Sequence, residues 1–188
     1  MTLKNRTILT VASALSLAAL SACQSESGAG SEAGEAAVST KTMATLIAGE
    51  SELSKVADIL SDAGLSEMLD GNASYILFAP TDAALEGFEA DMSAEDARAV
   101  RVAILREHMV PGFLTRQDIQ KALDAAAGNP VEMQTLGSNP LVFTNSGDTI
   151  MVASKDGSAP VAMSEGIAAS NGVVFPIDGV LKELPKEE

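Results

Sequence analysis

Cysteine is nearly absent from this chain of 188 residues, with Cys23 as its single copy. A lone cysteine excludes an intrachain disulfide, a zinc cluster and a Cys/His catalytic pair, so an exported form must be held together by packing. Tryptophan is missing, and one tyrosine and five phenylalanines supply few aromatic side chains for a sugar or pigment site. Basic residues are also scarce, because 12 Lys and Arg stand against 26 Asp and Glu for a net charge of −14. This acidity argues against binding to nucleic acid or to anionic lipid head groups.

Sequence motifs of catalysis are missing as well. The chain has no Gly-x-Ser-x-Gly nucleophile elbow, no phosphate-binding Gly-rich loop, no Cys-x-x-Cys pair and no His-Glu-x-x-His zinc motif. The single histidine, His108, has no second metal ligand or nucleophile in view. We therefore predict a protein that is not an enzyme and that uses no cofactor and no metal.

Residues 1–22 predict a lipoprotein signal peptide. Lys4 and Arg6 precede an Ala- and Ser-rich apolar stretch that is too short to span a bilayer. The stretch closes on Leu-Ser-Ala-Cys at 20–23, where small residues admit a peptidase and the thiol of Cys23 accepts a lipid. We predict lipidation of Cys23 and membrane attachment through this anchor. Removal of the leader would leave 10 basic and 26 acidic residues, a net charge of −16.

Residues 23–41 predict a flexible tether that carries the lipid. They are rich in Gly, Ser and Glu and contain almost nothing that could pack. A coil of this length has a root-mean-square reach of about 20–25 Å. Gln24 occupies the position where inner-membrane retention usually has Asp, which favours the outer membrane if the source is Gram-negative. The predicted location is therefore the cell envelope, outside the cytoplasm.

Helical periodicity dominates the first half of the remaining chain. One predicted helix stops at Gly64 and places its apolar residues at i, i+3, i+4 and i+7, namely Leu53, Val56, Ala57 and Leu60. Ser93 with Asp96, and Thr115 with Asp118, predict capping boxes for two further helices. The inward residues expected on the first of these are Ala97, Val100 and Ile104.

Strand-like alternation dominates the second half, after one early strand at 75–79 that Pro80 is expected to end. A hairpin turn is predicted at 145–148 and another turn at 155–158. Further strands are expected at 131–135, 161–163 and 173–177. The pattern predicts one α+β domain over 42–184, followed by a C-terminal tail at 185–188. Its helices lie mainly in the N-terminal half, around a β-sandwich or wedge of short strands from the C-terminal half.

Four stretches of this domain resemble, in order, the motifs of the fasciclin domain. Residues 75–85, Tyr-Ile-Leu-Phe-Ala-Pro-Thr-Asp-Ala-Ala-Leu, resemble its first signature, and Asp-Ala-Gly-Leu at 62–65 resembles its helix end. His-Met-Val-Pro-Gly at 108–112 resembles its middle motif, and residues 171–181, Asn-Gly-Val-Val-Phe-Pro-Ile-Asp-Gly-Val-Leu, resemble its closing signature. The resemblance spans roughly 42–184 and implies an adhesive or matrix-binding module.

We interpret the family-motif positions as structural rather than as ligand contacts. These positions are Thr81, Asp82, His108, Pro111, Asn171, Gly172 and Asp178. Thr81 or Asp82 is expected to cap the helix that follows, and Asn171-Gly172 to accept positive φ before the last strand. The resemblance implies that His108 lies near the junction of the middle and closing motifs. We expect its imidazole to bond a backbone carbonyl or a nearby side chain there.

Departures from the family pattern limit which functions carry over. Glu107 replaces the Tyr that commonly precedes the motif histidine, and Gly166-Ile167 occupies the place of an Asp-Ile pair. Phe175 stands where the closing signature often has His. Because integrin binding in animal members is credited to the Tyr-His and Asp-Ile regions, we do not expect it here.

The resulting prediction is a lipid-anchored, non-enzymatic adhesion module of the envelope that binds a protein or a surface polymer. The alternative is a carrier of an apolar small molecule, a pigment or a lipid, in the same location. A wedge of helices on a β core could open an apolar pocket for such a ligand.

Overall fold

The computed structural model describes residues 39–86 and 97–182. Cys23, the predicted signal peptide, most of the predicted tether, the Ser93/Asp96 capping box and the tail at 185–188 lie outside these ranges. Within them the helices are α1 Met43–Gly49, α2 Ser54–Asp62, α3 Ser66–Asp70, α4 Asp82–Glu86, α5 Ala97–Glu107 and α6 Arg116–Ala125. The strands are β1 Tyr75–Pro80, β2 Met109–Pro111, β3 Val131–Met133, β4 Leu141–Ser146, β5 Thr149–Ser154, β6 Val161–Ala162, β7 Ile167–Ala169 and β8 Gly172–Ile177.

The strands form two four-stranded sheets. Sheet A has the order β2-β1-β8-β7, with β1 and β8 parallel and the other pairs antiparallel. Sheet B has the order β3-β4-β5-β6 and is antiparallel throughout. The parallel β1–β8 pair joins the two halves of the chain, with Phe78 opposite Phe175. The predicted α+β class, with helices mainly first and strands last, is confirmed.

Side chains alternate along the central strands of sheet A, so both of its faces carry apolar residues. Each face is covered by one hydrophobic cluster. On β1, Leu77 and Ala79 join the hydrophobic cluster formed with the early helices, while Ile76 and Phe78 join the cluster that includes sheet B. The ring of Phe78 stacks on Phe175 with centroids 5.4 Å apart. It also meets Phe143 of sheet B at 5.5 Å, so three of the five phenylalanines fill the space between the sheets.

The helix signals at Gly64 and at Thr115 with Asp118 are confirmed. Gly64 has φ of +71° just after α2, a conformation that favours glycine and ends the helix. At the start of α6, the Thr115 hydroxyl accepts from the Asp118 N–H at 3.2 Å, and the Asp118 carboxylate accepts from the Thr115 N–H at 3.0 Å. The Thr115 hydroxyl, which donates to the same carboxylate at 2.7 Å, and the Thr115 N–H together lower the pKa of Asp118.

The orientation predicted for α5 is wrong at one position. The periodicity places Val100 inward, yet its side chain is 47% exposed. The helix instead buries Ile104 and Leu105 near its C-terminal end. Which face of a helix turns inward depends on the elements packed against it, and α5 packs against α2 and β2 chiefly through its last turns.

The hairpin predicted at 145–148 is confirmed, since β4 and β5 pair around Gly147 with φ of +62°. Pro80 ends β1 as predicted, since it is the last residue of the strand and lies opposite Ile177. The missing backbone N–H of Pro80 breaks no ladder hydrogen bond. An N–H at this position would point towards β2, and β2 pairs only with residues 75–77 of β1.

Contacts with the domain begin before the predicted boundary at Thr42. The Ser39 N–H donates to the Ala168 carbonyl, and the Ser170 N–H donates to the Lys41 carbonyl, both at 2.9 Å. The last three residues of the predicted tether therefore lie along the end of β7. The chain enters α1 from this edge of sheet A.

Candidate functional site

Three of the four sequence motifs meet in sheet A. The first signature forms β1, the middle motif forms β2 on one side of it, and the closing signature forms β8 on the other. Pro111 lies opposite Tyr75, and the Gly112 N–H then donates to the Ser74 carbonyl at 2.9 Å. Gly112 has φ of +120°, so the turn after β2 requires a glycine.

His108 is fully buried and cross-links the middle motif to the end of the closing signature. Its Nδ1 lies 2.8 Å from the Ile104 carbonyl, and its Nε2 accepts from the Leu181 N–H at 2.8 Å. An Nε2 acceptor requires a neutral ring with the proton on Nδ1, donated to Ile104. Burial lowers the pKa of His108 to about 4 against the raising effects of that carbonyl and of Glu107 and Asp156. Both ring nitrogens are therefore occupied.

Glu107 is buried beside His108 and binds a loop of the other sheet. Its two carboxylate oxygens accept from the backbone N–H groups of Ser138 and Asn139 at 3.1 and 3.0 Å. The Lys182 ammonium lies 3.5 Å from Oε1 and 3.4 Å from Asp156. Glu107 is a departure from the family pattern, and its contacts were not predicted. The sequence has no local signal for them, since they cross more than thirty positions.

Thr81 and Asp82 cap two different helices. The Thr81 hydroxyl accepts from the Ala84 N–H at 3.3 Å in α4 and donates to the Asp178 carboxylate at 3.5 Å. The Asp82 carboxylate turns away to α2, where it accepts from the Lys55 N–H at 2.9 Å and from the Ser54 hydroxyl. Burial raises the pKa of Asp82, but these hydrogen bonds and the Lys55 charge outweigh it and hold the pKa below its usual value.

Asn171 ties three segments together from a nearly buried position. Its Oδ1 accepts from the Met43 N–H at the start of α1 at 2.8 Å. Its Nδ2 donates to the Leu69 and Gly71 carbonyls at the end of α3, both at 2.8 Å. One side-chain amide thus satisfies backbone groups at the ends of two helices.

The positive φ expected at Asn171-Gly172 is wrong, since neither residue is among those with positive φ. Gly172 is required for space instead. A Cβ there would lie 2.1 Å from the Met43 sulfur and 2.2 Å from the Tyr75 carbonyl oxygen. The close approach of α1 and β1 to this point explains the glycine.

Gly166 is likewise a position without room for a side chain. A Cβ there would lie 2.5 Å from the Phe175 ring and 2.8 Å from Val173. An aspartate could therefore not replace Gly166 ahead of Ile167 without moving the ring of Phe175. The two departures from the family pattern, Gly166 and Phe175, fit each other.

A model of the family described as the fasciclin domain matches residues 51–183, which is most of the chain. The chain belongs to the fasciclin domain family. No curated protein sequence matches it.

Among solved structures, this fasciclin domain is similar to a FAS1 domain pair from the insect cell adhesion molecule Fasciclin I. The TM-score is 0.65 at 16% sequence identity, over 77% of this chain and 52% of that chain. The chain therefore spans about half the length of the domain pair, and the likeness establishes the fold.

The polar groups of the motifs are committed to contacts within the domain. Among the described residues, no buried side-chain nitrogen or oxygen lacks a hydrogen-bond partner. No group of His, Cys, Asp or Glu in that part of the chain has the arrangement of a metal site. No helix of residues 39–86 and 97–182 has the length and apolar character to cross a membrane.

Two surface grooves of the fasciclin domain lie away from the motif residues of sheet A. A groove of about 500 Å³ lies among α1, α2 and α3, with Ile47, Leu60 and Leu69 beneath it. A smaller groove of about 300 Å³ lies between α5 and the loop at 136–138. The sequence allowed for an apolar pocket among the helices but located neither groove. The helices α1 and α3 are too short to show a clear period.

Proposed function

We propose that this fasciclin domain is a non-enzymatic binding module of the cell envelope, anchored by a lipid on Cys23 and acting in adhesion or matrix association. The observation that carries the proposal is the family match over 51–183. The name of the similar insect protein, a cell adhesion molecule, supports the same direction. The partner is a protein or a surface polymer.

The chemistry of the motif residues supports binding rather than catalysis. The single histidine has both nitrogens occupied, with a pKa lowered to about 4. A general base that works near neutral pH needs a pKa close to 7 and access to substrate. His108 meets neither condition, being buried with no exposed surface.

The anchor is tested at the mature N-terminus. Mass spectrometry of the protein from its native host should find Cys23 as the first residue, carrying a diacylglyceryl thioether. Cys23→Ala should move the protein from the membrane to the soluble fraction, whereas Ser27→Ala should leave it in the membrane. An unmodified Cys23, or a mature terminus elsewhere, contradicts the lipoprotein assignment.

Adhesion is tested by deleting the gene and restoring it in variant forms. Deletion should reduce surface attachment and biofilm, and the wild-type gene should restore both. The Cys23→Ala form should fail to restore them, because the domain would no longer be held at the cell surface. A deletion strain that attaches and aggregates normally argues against the adhesive role.

The carrier alternative has one structural feature in its favour, the groove among α1, α2 and α3. Its volume of about 500 Å³ falls in the range of small-molecule sites. The space between the two sheets is filled by Phe78, Phe143 and Phe175, so a pigment or lipid would have to use the groove. Organic extraction of protein purified from its native membranes should release such a ligand. A ligand-free extract counts against this alternative.

A further inference from the structure

The groove among α1, α2 and α3 has walls made of small side chains. Ala44 and Ala48 lie one turn apart on α1, and Ala57 and Ser61 lie one turn apart on α2. Small residues at this spacing let another helix approach closely, where larger side chains would hold it off. Ile47 beneath the groove is already buried in the core, so the apolar surface open to a partner is that of the alanine side chains.

The rim of the groove is acidic. Asp58, Glu67 and Asp70 line it and are exposed, and no Lys, Arg or His of residues 39–86 and 97–182 lines it with them. Asp70 accepts from the Thr42 hydroxyl at 2.6 Å. Residues 43–70 carry six acidic residues and one lysine, so the field around the groove is negative.

We propose, on the basis of the binding function above, that this groove receives a short, positively charged amphipathic helix of a partner protein. The small-residue walls fit the apolar stripe of such a helix, and the rim carboxylates fit Lys or Arg on its flanks. The nine residues of α2 span about 13 Å. The groove therefore accommodates two to three turns of the partner.

Charge selects this occupant over the others. A second copy of the acidic chain is repelled by the net charge of −14, and an anionic lipid head group is repelled by the rim. An uncharged apolar molecule would gain nothing from three exposed carboxylates and would remain open to water. A cationic amphipathic helix would place its apolar stripe against the small side chains of the groove and its charges against the rim carboxylates.

The contact is small, and its affinity is correspondingly modest. Interfaces well under 1,200 Å² belong to transient complexes, so a dissociation constant of roughly micromolar or weaker is expected. A lipid anchor would compensate by presenting many copies on one surface.

The test uses a synthetic amphipathic helix of about 18 residues with an Ala/Leu stripe flanked by Lys, and a second peptide with Glu at every Lys position. Fluorescence anisotropy with the full chain measures both dissociation constants. The Lys peptide should bind at least about tenfold more tightly than the Glu peptide, and added salt should weaken it. The double substitution Asp58→Lys with Glu67→Lys should weaken the Lys peptide about tenfold.

A matched pair of substitutions separates the groove from general acidity. Asp124→Lys with Asp148→Lys changes the net charge equally at exposed positions on α6 and in the β4–β5 turn, and should leave binding within about twofold. Ala48→Trp should fill the groove and weaken the peptide about tenfold with an unchanged melting temperature. Ala125→Trp, on the surface of α6, serves as its control.

Four results would overturn the proposal. They are equal loss in the Asp124/Asp148 pair, no binding of the Lys peptide, self-association of the chain that Asp58→Lys abolishes, and a co-purified apolar ligand that Ala48→Trp expels. The outcome is separable from the adhesion experiment. If the peptide binds specifically but the deletion strain attaches normally, the groove proposal stands and the adhesive role is contradicted. If the peptide does not bind but the deletion strain loses attachment, the adhesive role stands and the groove proposal is contradicted.

Discussion

The two polar regions of this fasciclin domain differ in how their side chains are used. At the junction of the motifs in sheet A, His108, Glu107 and Asn171 are buried and every donor and acceptor described there faces another part of the domain. At the groove among α1, α2 and α3, Asp58 and Glu67 are exposed and face solvent. The comparison indicates that the motif residues at the junction build the fold, while the groove proposed for binding lies on a surface without motif residues.

The largest expected effect is at Gly172, where the junction has no spare volume. Gly172→Ala places a Cβ within 2.2 Å of the Met43 sulfur and the Tyr75 carbonyl oxygen, so α1 or β1 must move. We expect a loss of about 3 kcal/mol or more in unfolding free energy, measured by denaturant titration. Gly49→Ala is the matched control, since nothing lies within 4 Å of its added Cβ. It should be neutral or slightly stabilising.

Asn171→Ala should be nearly as costly, because it orphans a backbone N–H and two carbonyls at helix ends. Two buried hydrogen bonds and one partly buried one, at about 1 kcal/mol each, give a loss of about 3 kcal/mol. Asn145→Ala, on an exposed residue of β4, should change stability by less than about 0.5 kcal/mol. A similar loss for both variants would remove the distinction between the junction and the surface.

His108 makes the junction sensitive to acid. Its pKa is about 4 in the folded state against 6.5 unfolded, so the unfolded chain binds the extra proton between these values. Stability is complete above pH 6.5 and falls as the pH is lowered towards 4, by up to about 3 kcal/mol. Glu107 and Asp156 face the ring and moderate this loss. His108→Gln should flatten the slope between pH 4 and 6.5, and His108→Ala should lower the melting temperature at neutral pH. An unchanged melting temperature contradicts the structural role.

Glu107→Gln should give a smaller loss, because the amide retains one acceptor for the loop at 138–139. We expect about 1–2 kcal/mol from the exchange of charge-assisted for neutral hydrogen bonds and from a weaker Lys182 contact. Glu67→Gln at the rim of the groove is its counterpart and should cost less than about 0.5 kcal/mol. Thermal unfolding of the two variants compares the same Glu-to-Gln change at the buried junction and at the exposed rim of the groove.

What sequence could predict depends on the range of the interaction. The capping box of Thr115 and Asp118, the helix end at Gly64 and the turn at Gly147 are set by residues a few positions apart, and all three are confirmed. The predictions for Val100 and Gly172 are wrong for the opposite reason. Their environments are set by elements far away in the chain, for Gly172 by α1 and by β1.

At the candidate site, too, the contacts between distant parts of the chain were the ones that the local sequence did not predict. Resemblance to the family placed His108 near the closing motif, where its contact with Leu181 crosses 73 positions. Nothing in the local sequence indicated that Glu107 binds the loop at 138–139 or that Asp82 caps α2 rather than α4. The groove was also beyond prediction, because it exists only where three short helices come together.

The most direct test of the separation between fold and binding surface is attachment of the deletion strain carrying the Asp58→Lys, Glu67→Lys form, measured together with the melting temperature of that protein. Attachment should stay at the level of the deletion while the melting temperature equals that of the wild type. Full restoration of attachment by this form would contradict the separation of the binding surface from the fold.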